Sequence, residues 1–351
     1  MLFSKTNHLV GLDIGSSMVK AAEILDSKKG RILKRFGTMD LKAGAIEDGL
    51  IRDPEYVAGV IRELFSLYGI RNDKVALSIG GYSAIVKKIT MPAMEEEALQ
   101  KSILVEAEQY IPFDIKDIRM DFQVMGPSSQ NPEHLNILLV AAKKELVNQY
   151  VEVAELAGLT PCVVDVDALA VQNVYEAVHG ITSEEVVLLN VGAAKMSLNI
   201  IKDGDSVFMR DVSLGCRQIN SRIRAFTGCS EEDAEALKLA SGGEKMPEDE
   251  YLGAVGQVVG QWCTEIGRAL DFFYSTYPGE RVEKMVLSGG GGYLETFVDA
   301  LSVQSGAEVL LLDPFGAVQV DSGKLDAETL RKMAPQAAVV MGLALRKVED
   351  K

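Results

Sequence analysis

Cysteine, histidine and tryptophan are scarce in this sequence of 351 residues, which has four cysteines, three histidines and one tryptophan. The cysteines show no metal-ligand spacing, and the few histidines are scattered, so we expect no zinc site. Free thiols in a reducing compartment are the better interpretation. The cysteines are Cys162, Cys216, Cys229 and Cys263.

Long apolar runs are also missing. The first residues, MLFSKTNHLVGLDIG, reach a polar turn before any apolar stretch of the length found in signal peptides. No later run approaches the length of a membrane-spanning helix. The C-terminal LALRKVEDK lacks the aromatic and leucine face of an amphipathic anchor. The sequence therefore predicts no membrane segment.

Positive charge is in deficit, because 51 acidic residues outnumber 36 basic ones and the formal net charge is -15. Nucleic acids and anionic membranes are bound by clustered lysine and arginine, so the charge argues against both as direct partners. What is present is an ordinary globular composition, 47% hydrophobic and 25% charged. The length favours two lobes over one core.

One segment of the sequence occurs twice. VGLDIGSSMVKAAEI, which begins at Val10, aligns with VLLNVGAAKMSLNII, which begins at Val187, about half a chain length later. Each copy has an apolar run, a polar residue, a glycine turn and a second apolar run, which is typical of a β-hairpin. A repeat at this spacing predicts two related lobes, each starting with a strand–turn–strand unit.

The residues of these turns are suited to binding phosphate. A glycine in a tight turn lets successive backbone N–H groups face an anion, and the hydroxyls of Ser16 and Ser17 are further donors. Asp13, just before the first turn, can hold the water shell of a bridging Mg²⁺. A short glycine–serine turn taken alone is more often plain structure, but two at equivalent positions favour a nucleotide site.

A third glycine-rich segment follows a predicted strand. In KMVLSGGGGYLETFVDALS the strand ends at Leu287, four glycines follow, and a helix begins at about Leu294. A strand, a glycine loop and a helix N-terminus together form a site for an anion or a ribose. The segment matches neither the Rossmann fingerprint nor the P-loop, and the alternative is a flexible connector.

These three segments, in this order, resemble the superfamily of actin, heat-shock chaperones and sugar kinases. Within it, the chain resembles the PilM family of actin-like proteins of type IV pilus assembly, over essentially its whole length. The pair IPF and DFQV, within residues 106–124, is the most specific part. The resemblance is carried by VGLDIGSSMVKAAEI, EAEQYIPFDIKDIRMDFQV, VDVDALAVQNVYEA, RDVSLG, EIGRALDFF, LSGGGG and AVVMGLALR.

The resemblance implies an α/β fold: a two-lobed actin-like ATPase fold with duplicated RNase H-like cores and an inserted α+β subdomain in the first lobe. The second lobe would carry a helical insertion of its own. The implied boundaries are 1–82, 161–183 and a C-terminal helix at 335–347 for the first core, 83–160 for the inserted subdomain, 184–215 and 281–334 for the second core, and 216–280 for the helical insertion.

Local patterns predict the helices within this plan. Apolar residues recur at helical spacing in PEYVAGVIRELFSLYGI, at 54–70, and the inserted subdomain closes with KKELVNQYVEVAELAG, at 143–158. Ser230 and Asp233 form a capping box for a short helix. A long helix at about 249–277 has an apolar stripe, which we assign to the core and not to a cofactor.

By resemblance, the first turn and a later acid would handle the phosphates. Asp13 would position Mg²⁺ through water molecules, and Lys20 would contact phosphate unless it simply faces solvent. Asp167, with Asp165 as the alternative, would orient the attacking water. The competing interpretation is that this acid only caps the following helix. The phosphate cradle of the first turn would consist of Gly15, Ser16 and Ser17.

The second turn departs from the family pattern, in which most relatives carry Asp in place of Asn190. Asparagine keeps a carbonyl that can meet a hydrated metal but loses the charge. Lys195 would either compensate at the γ-phosphate or lie on the rim. Backbone donors should preserve nucleotide binding, but rapid hydrolysis is put in doubt. The nucleotide-binding residues of this turn would be Asn190, Gly192, Ala193, Ala194 and Lys195.

The adenosine would be enclosed by the glycine-rich segment and a helix. Glu265 and Arg268, one helical turn apart, resemble the helix residues that play this part in relatives. The alternative is an ordinary ion pair between positions i and i+3 on the surface. The glycines concerned are Gly289, Gly290, Gly291 and Gly292.

The resemblance implies an ATP-binding scaffold and not a metabolic enzyme, with ATP and Mg²⁺ between the lobes and weak or absent hydrolysis. Its partner would be the cytoplasmic N-terminal tail of the membrane protein PilN, held in a groove of the first lobe. The protein would then be cytoplasmic and peripheral to the inner membrane through this partner. It would connect to other platform proteins and motor ATPases of the pilus machine.

Three alternatives share the fold. A filament-forming division protein similar to FtsA is disfavoured because the amphipathic anchor is missing. A small-molecule kinase would need a second acidic cluster in the cleft, and the sequence shows none. The cytoplasmic part of a type II secretion L protein would continue into a membrane helix.

Overall fold

The computed structural model of the chain describes residues 8–81, 84–128, 131–321, 325–348 and 350. We number its strands and helices in chain order. The strands are β1 (Val10–Ile14), β2 (Met18–Ser27), β3 (Gly30–Asp40), β4 (Ile46–Glu47), β5 (Leu50–Ile51), β6 (Lys74–Ile79), β7 (Ala84–Pro92), β8 (Ile118–Pro127), β9 (His134–Lys143), β10 (Thr160–Val166), β11 (Val186–Val191), β12 (Met196–Lys202), β13 (Asp205–Val212), β14 (Lys284–Ser288), β15 (Glu308–Leu311) and β16 (Gln319–Val320). The helices are α1 (Pro54–Leu67), α2 (Glu96–Ala107), α3 (Lys144–Leu156), α4 (Asp167–His179), α5 (Arg217–Thr227), α6 (Glu231–Leu239), α7 (Glu248–Thr276), α8 (Glu295–Ser305), α9 (Ala327–Met333) and α10 (Ala338–Ala344).

Two β-sheets with the same strand plan form the cores of two lobes. The first sheet has the order β10-β6-β1-β2-β3-β16, and the second has the order β13-β12-β11-β14-β15. In each, three consecutive strands are antiparallel neighbours, as β1, β2 and β3 show in the first lobe. Two later strands then run parallel to the first of the three. The predicted duplication of the core is confirmed.

Helices α4 and α10 lie between the two sheets and cross each other. α4 follows β10 of the first sheet but also packs against β11 and β12, whereas α10 packs against β1 and β2. At the crossing, a Cβ on Gly342 would lie 1.8 Å from the carbonyl oxygen of Ala170. A Cβ on Gly11 would lie 2.3 Å from the carbonyl oxygen of Val340. One apolar core therefore joins both lobes here.

Local signals account for α1. The Asp53 side chain accepts a hydrogen bond from the backbone N–H of Tyr56 (3.2 Å), and Pro54 stands in the first turn, where its missing N–H is not needed. The helix ends at Leu67, before the predicted end at residue 70. Gly69, with φ of +62°, turns the chain at this point.

A three-stranded sheet in the order β7-β9-β8 forms the inserted subdomain, and its apolar core with α2 is separate from the cores of the lobes. The helix α3, which we expected to close this insertion, packs instead against α1 in the first-lobe core through Leu146, Tyr150 and Val153. By packing, the insertion therefore ends with β9. Its expected start, at residue 83, lies outside the described residues.

The helical insertion of the second lobe consists of α5, α6 and α7. The Ser230 hydroxyl oxygen accepts a hydrogen bond from the backbone N–H of Asp233 (3.1 Å) at the start of α6. No helix in the described residues has both the length and the apolar character needed to span a membrane. The predicted apolar stripe of α7 is buried in the second core and consists of Val255, Val259, Trp262, Ile266 and Phe273.

Candidate functional site

The two repeated turns have the same geometry. In the first turn, residues 15–17, the Gly15 N–H donates a hydrogen bond to the carbonyl oxygen of Met18 (3.0 Å). In the second turn, residues 192–195, the Gly192 N–H donates to the carbonyl oxygen of Lys195 (2.9 Å). Each hairpin therefore closes in the same way, and each presents a short stretch of backbone at the same edge of its sheet.

Arg217, at the start of α5, joins the two turns across the cleft between the lobes. Its backbone N–H donates to the carbonyl oxygen of Ala193 in the second turn (2.8 Å). Its guanidinium donates to the carbonyl oxygen of Ser16 in the first turn (2.6 Å). The turns are therefore neighbours. Arg217 was not among the residues predicted from the sequence. The feature that could have indicated it is a cation at the first position of the helix after β13.

A cavity of about 310 Å³ lies beside the second turn. Both lobes contribute to it, because the hairpin of β4 and β5 faces the second turn and the start of α5. This is the arrangement that a ligand held between two lobes requires. The lining residues are Glu47, Asp48, Ala193, Ala194, Ser213, Gly215, Arg217 and Gln218.

Lys20 faces Asp13 and not solvent. Its ammonium lies 2.8 Å from an Asp13 carboxylate oxygen, and the two side chains are only 12% and 13% exposed. The two residues are directly opposite each other on β1 and β2, on either side of the first turn. The interpretation of Lys20 as a solvent-facing residue is therefore wrong. A cation and an acid flank the first turn together.

Asp167 lies at the floor of the cleft. The Ser78 hydroxyl donates to one of its carboxylate oxygens (2.5 Å), and the Lys195 ammonium lies 2.5 Å from the other. Burial alone would raise the pKa of Asp167, but Lys195 and Ser78 outweigh it and hold the pKa below its ordinary value. Asp167 is thus an ionised acid with two partners.

Asp165, two residues earlier, has different partners. One of its carboxylate oxygens accepts a hydrogen bond from the Val166 N–H (2.8 Å), and the Arg346 guanidinium lies 3.6 Å from the other. Burial raises the pKa of Asp165, although Arg346 opposes this. The N-cap residue of α4 is Val166, and the carboxylates of both acids bond other groups, Asp165 the Val166 N–H and Asp167 the Ser78 hydroxyl. Asp167 is the one that the structure brings to the cleft.

Lys195 reaches from the second lobe to the first, and so lies across the cleft and not on its rim. The ion pair stands directly over Gly80, where a Cβ would lie 2.4 Å from the Lys195 ammonium and 2.7 Å from Asp167 Oδ2. Burial opposes the charge of Lys195, but the nearby Asp167, Tyr150 and Asp211 raise its pKa above the ordinary value. Lys195 therefore remains a cation inside the cleft.

Two further contacts tie the second lobe to the inserted subdomain and to the segment that leads into it. Asp211 of β13 accepts a hydrogen bond from the Gly81 N–H (2.5 Å), and burial raises the pKa of its carboxyl group. The Lys88 ammonium of β7 lies 2.7 Å from an Asp205 carboxylate oxygen. A movement of one lobe against the other would therefore act on the inserted subdomain directly.

The glycine loop, Gly289–Gly292, packs against the strand that leads into the second turn. A Cβ on Gly289 would lie 2.3 Å from the carbonyl oxygen of Val191, and one on Gly291 would lie 2.5 Å from a methyl carbon of the same residue. Glycine is required at both positions because no side chain fits. Three of the four glycines lie in a short 3-10 helix, Gly290–Tyr293, and α8 begins at Glu295, one residue after the predicted start.

Glu265 and Arg268 form an ion pair, as the alternative interpretation expected. The guanidinium of Arg210 on β13 also lies 3.6 Å from the Glu265 carboxylate. β13 is the edge strand of the second sheet, and β12 and β11 lie between it and the strand of the glycine loop. This position does not support an adenosine role for the pair.

Glu235 and Lys238 of α6 are better placed for that role. They form an ion pair (2.6 Å) near the thiol of Cys216. Burial raises the pKa of this thiol to about 11, while the charge of Lys238 lowers it and that of Glu235 raises it. Cys216 in turn faces the glycine loop, since a Cβ on Gly290 would lie 3.8 Å from its Sγ. The sequence shows an i,i+3 charge pair here too, and only packing distinguishes it from Glu265 and Arg268.

The described residues of the cleft can contact the water shell of a Mg²⁺ ion, but they do not form a metal site of protein side chains alone. No group of three or more His, Cys, Asp or Glu within the described part of the chain could hold a metal ion. Asn190 accepts a hydrogen bond from the Ser288 hydroxyl (3.1 Å) and contributes no charge. Asp13 is the carboxylate beside the first turn, and it can hold water ligands of Mg²⁺ without completing a site.

Comparison with known proteins identifies the family. The model of the family described as type IV pilus assembly protein PilM matches residues 11–348. A solved chain of the PilM–PilN type IV pilus biogenesis complex is 27% identical, with 98% of this chain and 100% of that chain covered and a TM-score of 0.87.

Two more distant structures share the fold. The ethanolamine utilization protein EutJ from Carboxydothermus hydrogenoformans is 15% identical, with a TM-score of 0.57 over 96% of this chain and 89% of that one. MreB5 of Spiroplasma citri bound to AMPPNP is 12% identical, with a TM-score of 0.53 over 96% and 95%. From the family match over most of its length, the chain belongs to the PilM family of type IV pilus assembly proteins.

Proposed function

We propose that this protein binds ATP in the cleft between its lobes. The observation that carries this proposal is the pair of matching turns, joined by Arg217, beside a cavity that both lobes line. Backbone N–H groups of the turns would contact phosphate oxygens, as in other nests of successive amides. Asp13 would hold water ligands of the nucleotide's Mg²⁺, and the adenosine would lie between the glycine loop and α6.

We expect hydrolysis of the bound ATP to be weak. Asn190 has no charge to contribute beside the metal. Asp167, the acid that would orient an attacking water, accepts a hydrogen bond from the Ser78 hydroxyl (2.5 Å), and its lowered pKa makes it a poor general base at neutral pH. The nucleotide would therefore serve mainly to hold the two lobes at one relative angle.

The partner in this proposal is the cytoplasmic N-terminal tail of PilN, held in a groove of the first lobe beside the inserted subdomain. Family membership supports it, as does the 27% identity to a chain whose structure is a complex with PilN. A short peptide in a groove is a common mode of recognition. The protein would thereby be cytoplasmic, peripheral to the inner membrane, and in contact with other pilus platform proteins and motor ATPases.

The contacts between β7 and the second lobe would link the nucleotide to this groove. Lys88 and Asp205 join the inserted subdomain to the second lobe, and Gly81 joins its base to Asp211. ATP that fixes the lobes would also fix the inserted subdomain, and with it one wall of the groove. A ligand can shift such an equilibrium only by binding one arrangement more tightly than the other.

The experiment is a titration of the full-length protein with a fluorescent peptide of the PilN N-terminal tail, with and without ATP. We expect saturable binding whose affinity changes with ATP, and none to a scrambled peptide. Lys88→Met should reduce the effect of ATP, whereas Lys101→Met, at an exposed pair with Glu97 in the same subdomain, should not. Absence of peptide binding under both conditions would refute the scaffold function.

Family membership favours this function over the alternatives. A division filament should pellet on lipid with ATP, and a kinase should transfer phosphate to small hydroxylated substrates. We expect neither activity, and finding one of them would replace the scaffold proposal.

A further inference from the structure

A cation in the cleft belongs to the turn that would contact phosphate. Lys195 ends the second turn, and its ammonium lies 2.5 Å from Asp167 of the first lobe. Gly80 leaves room for this pair, because a Cβ there would stand 2.4 Å from the ammonium. The pair therefore occupies a space that the backbone provides for it, unlike an ion pair between long side chains on the surface.

The strand order indicates which phosphate would meet Lys195. Along the edge of the second sheet, the glycine loop follows β14, the second turn connects β11 and β12, and Asp211 lies near the end of β13. A nucleotide with its nucleoside at the glycine loop extends its phosphates along this edge toward the second turn. The terminal phosphate is then the group that reaches the side of Lys195 and Asp211.

We infer that Lys195 distinguishes a nucleoside triphosphate from a diphosphate, by exchanging the carboxylate of Asp167 for the terminal phosphate. The inference rests on the proposed nucleotide site and adds a specificity-determining residue to it. A terminal phosphate has more charge and more acceptor oxygens than one carboxylate, so it competes well for the ammonium. A diphosphate ends one phosphate earlier and leaves Lys195 paired with Asp167.

The other cations of the cleft are placed to contact phosphates that both nucleotides share. Lys20 is bonded to Asp13 beside the first turn (2.8 Å). Arg217 donates to the carbonyl oxygen of Ser16 (2.6 Å). Both stand at the turn itself, whereas Lys195 extends from the turn to the opposite lobe. Removing Lys195 should therefore change the ratio of the two affinities, which a general loss of cleft structure would not do.

The test is calorimetric titration of the full-length protein with ATP and with ADP, both in Mg²⁺ buffer. Lys195→Met should lower the affinity for ATP on the order of tenfold, the usual effect of losing a charge-assisted hydrogen bond. The affinity for ADP should stay within about twofold. Asp167→Asn frees the ammonium and removes a like charge, so it should raise the affinity for ATP more than that for ADP.

Two controls separate specificity from folding. Lys195→Met leaves Asp167 without its cation, so a variant with both Lys195→Met and Asp167→Asn removes the two charges together. It should also prefer ATP less than the wild type does. Lys202→Met, at the far end of β12 where the lysine pairs with Glu185 (2.5 Å), should change neither affinity.

The inference is overturned if Lys195→Met and the double variant keep the wild-type ratio of ATP affinity to ADP affinity. This includes the case in which both affinities fall by the same factor. If the wild-type protein binds neither nucleotide, the proposed function fails together with the inference. If the wild type binds ATP while the ratio does not depend on Lys195, the proposed function stands and the inference alone is rejected.

Discussion

Replacing Gly342 by alanine sets two effects of opposite sign against each other. Alanine is favoured over glycine inside a helix by about 1 kcal/mol, because glycine loses more backbone freedom on folding. Gly342, however, lies where α10 crosses α4, and a Cβ there would stand 1.8 Å from the carbonyl oxygen of Ala170. Real Cβ atoms do not approach oxygen so closely, so the two helices must move apart.

The steric effect should win. The obstacle is backbone of α4, which cannot rotate away as the end of a flexible side chain could. The helices pack against both sheets, so their separation disturbs the core shared by the lobes. Overpacking of this kind costs roughly 1–3 kcal/mol, and a contact this short lies at the upper end. After the gain in helix propensity, Gly342→Ala should still destabilise the protein by about 1–2 kcal/mol.

The assay is thermal unfolding followed by circular dichroism and by the fluorescence of Trp262, the single tryptophan, which is buried in the second-lobe core. A loss of about 2 °C in Tm is expected for each kcal/mol. Gly253→Ala is the matched control, because a Cβ at this position of α7 meets no atom within 4 Å. That variant should gain about 0.5–1 kcal/mol. A Gly342→Ala protein as stable as the Gly253→Ala protein would refute the reasoning.

The remaining predictions concern the cleft. Asp13→Ala should weaken ATP binding on the order of tenfold or more, measured by calorimetry with Mg²⁺, because the water ligands of the metal lose a carboxylate acceptor; an unchanged Kd would contradict the site. Asn190→Asp should raise ATP turnover or its dependence on Mg²⁺ in a phosphate-release assay, and a rate equal to that of the wild type at every Mg²⁺ concentration would count against its assignment. The pKa of Asp167 in the folded protein is below its ordinary value near 3.8. Its ion pair therefore stabilises the protein above about pH 4, and this stabilisation is lost as the pH falls through the lowered pKa. The variant without both Asp167 and Lys195 should therefore lose less Tm between about pH 5 and pH 3 than the wild type, and parallel curves would argue against the pair.

Features that depend on neighbouring residues could be predicted from the sequence. The two turns, the glycine loop, the capped start of α1 at Asp53 and the buried stripe of α7 all follow from turn chemistry, helix capping and apolar spacing. The repeat predicted two cores of the same plan, and the strand orders confirm it. In these cases the physical cause lies within one or two turns of chain, so the local sequence contains all of it.

The partners of charged side chains could not be predicted in the same way. Asp165 and Asp167 are two residues apart, yet one faces Arg346 and the other faces Lys195 of the second lobe. Glu235 with Lys238 and Glu265 with Arg268 are the same pattern on two helices, and only the first pair lies near Cys216 and the glycine loop.

By itself, then, the sequence determined where the chain turns, which stretches are helix or strand, and that the plan occurs twice. The tertiary structure decided which acid meets which cation, that Arg217 joins the turns, and that α3 belongs to the first core. The reason is distance along the chain. A turn is stabilised by residues beside it, whereas Lys195 meets Asp167 because two sheets, two crossing helices and the glycine at position 80 bring them together.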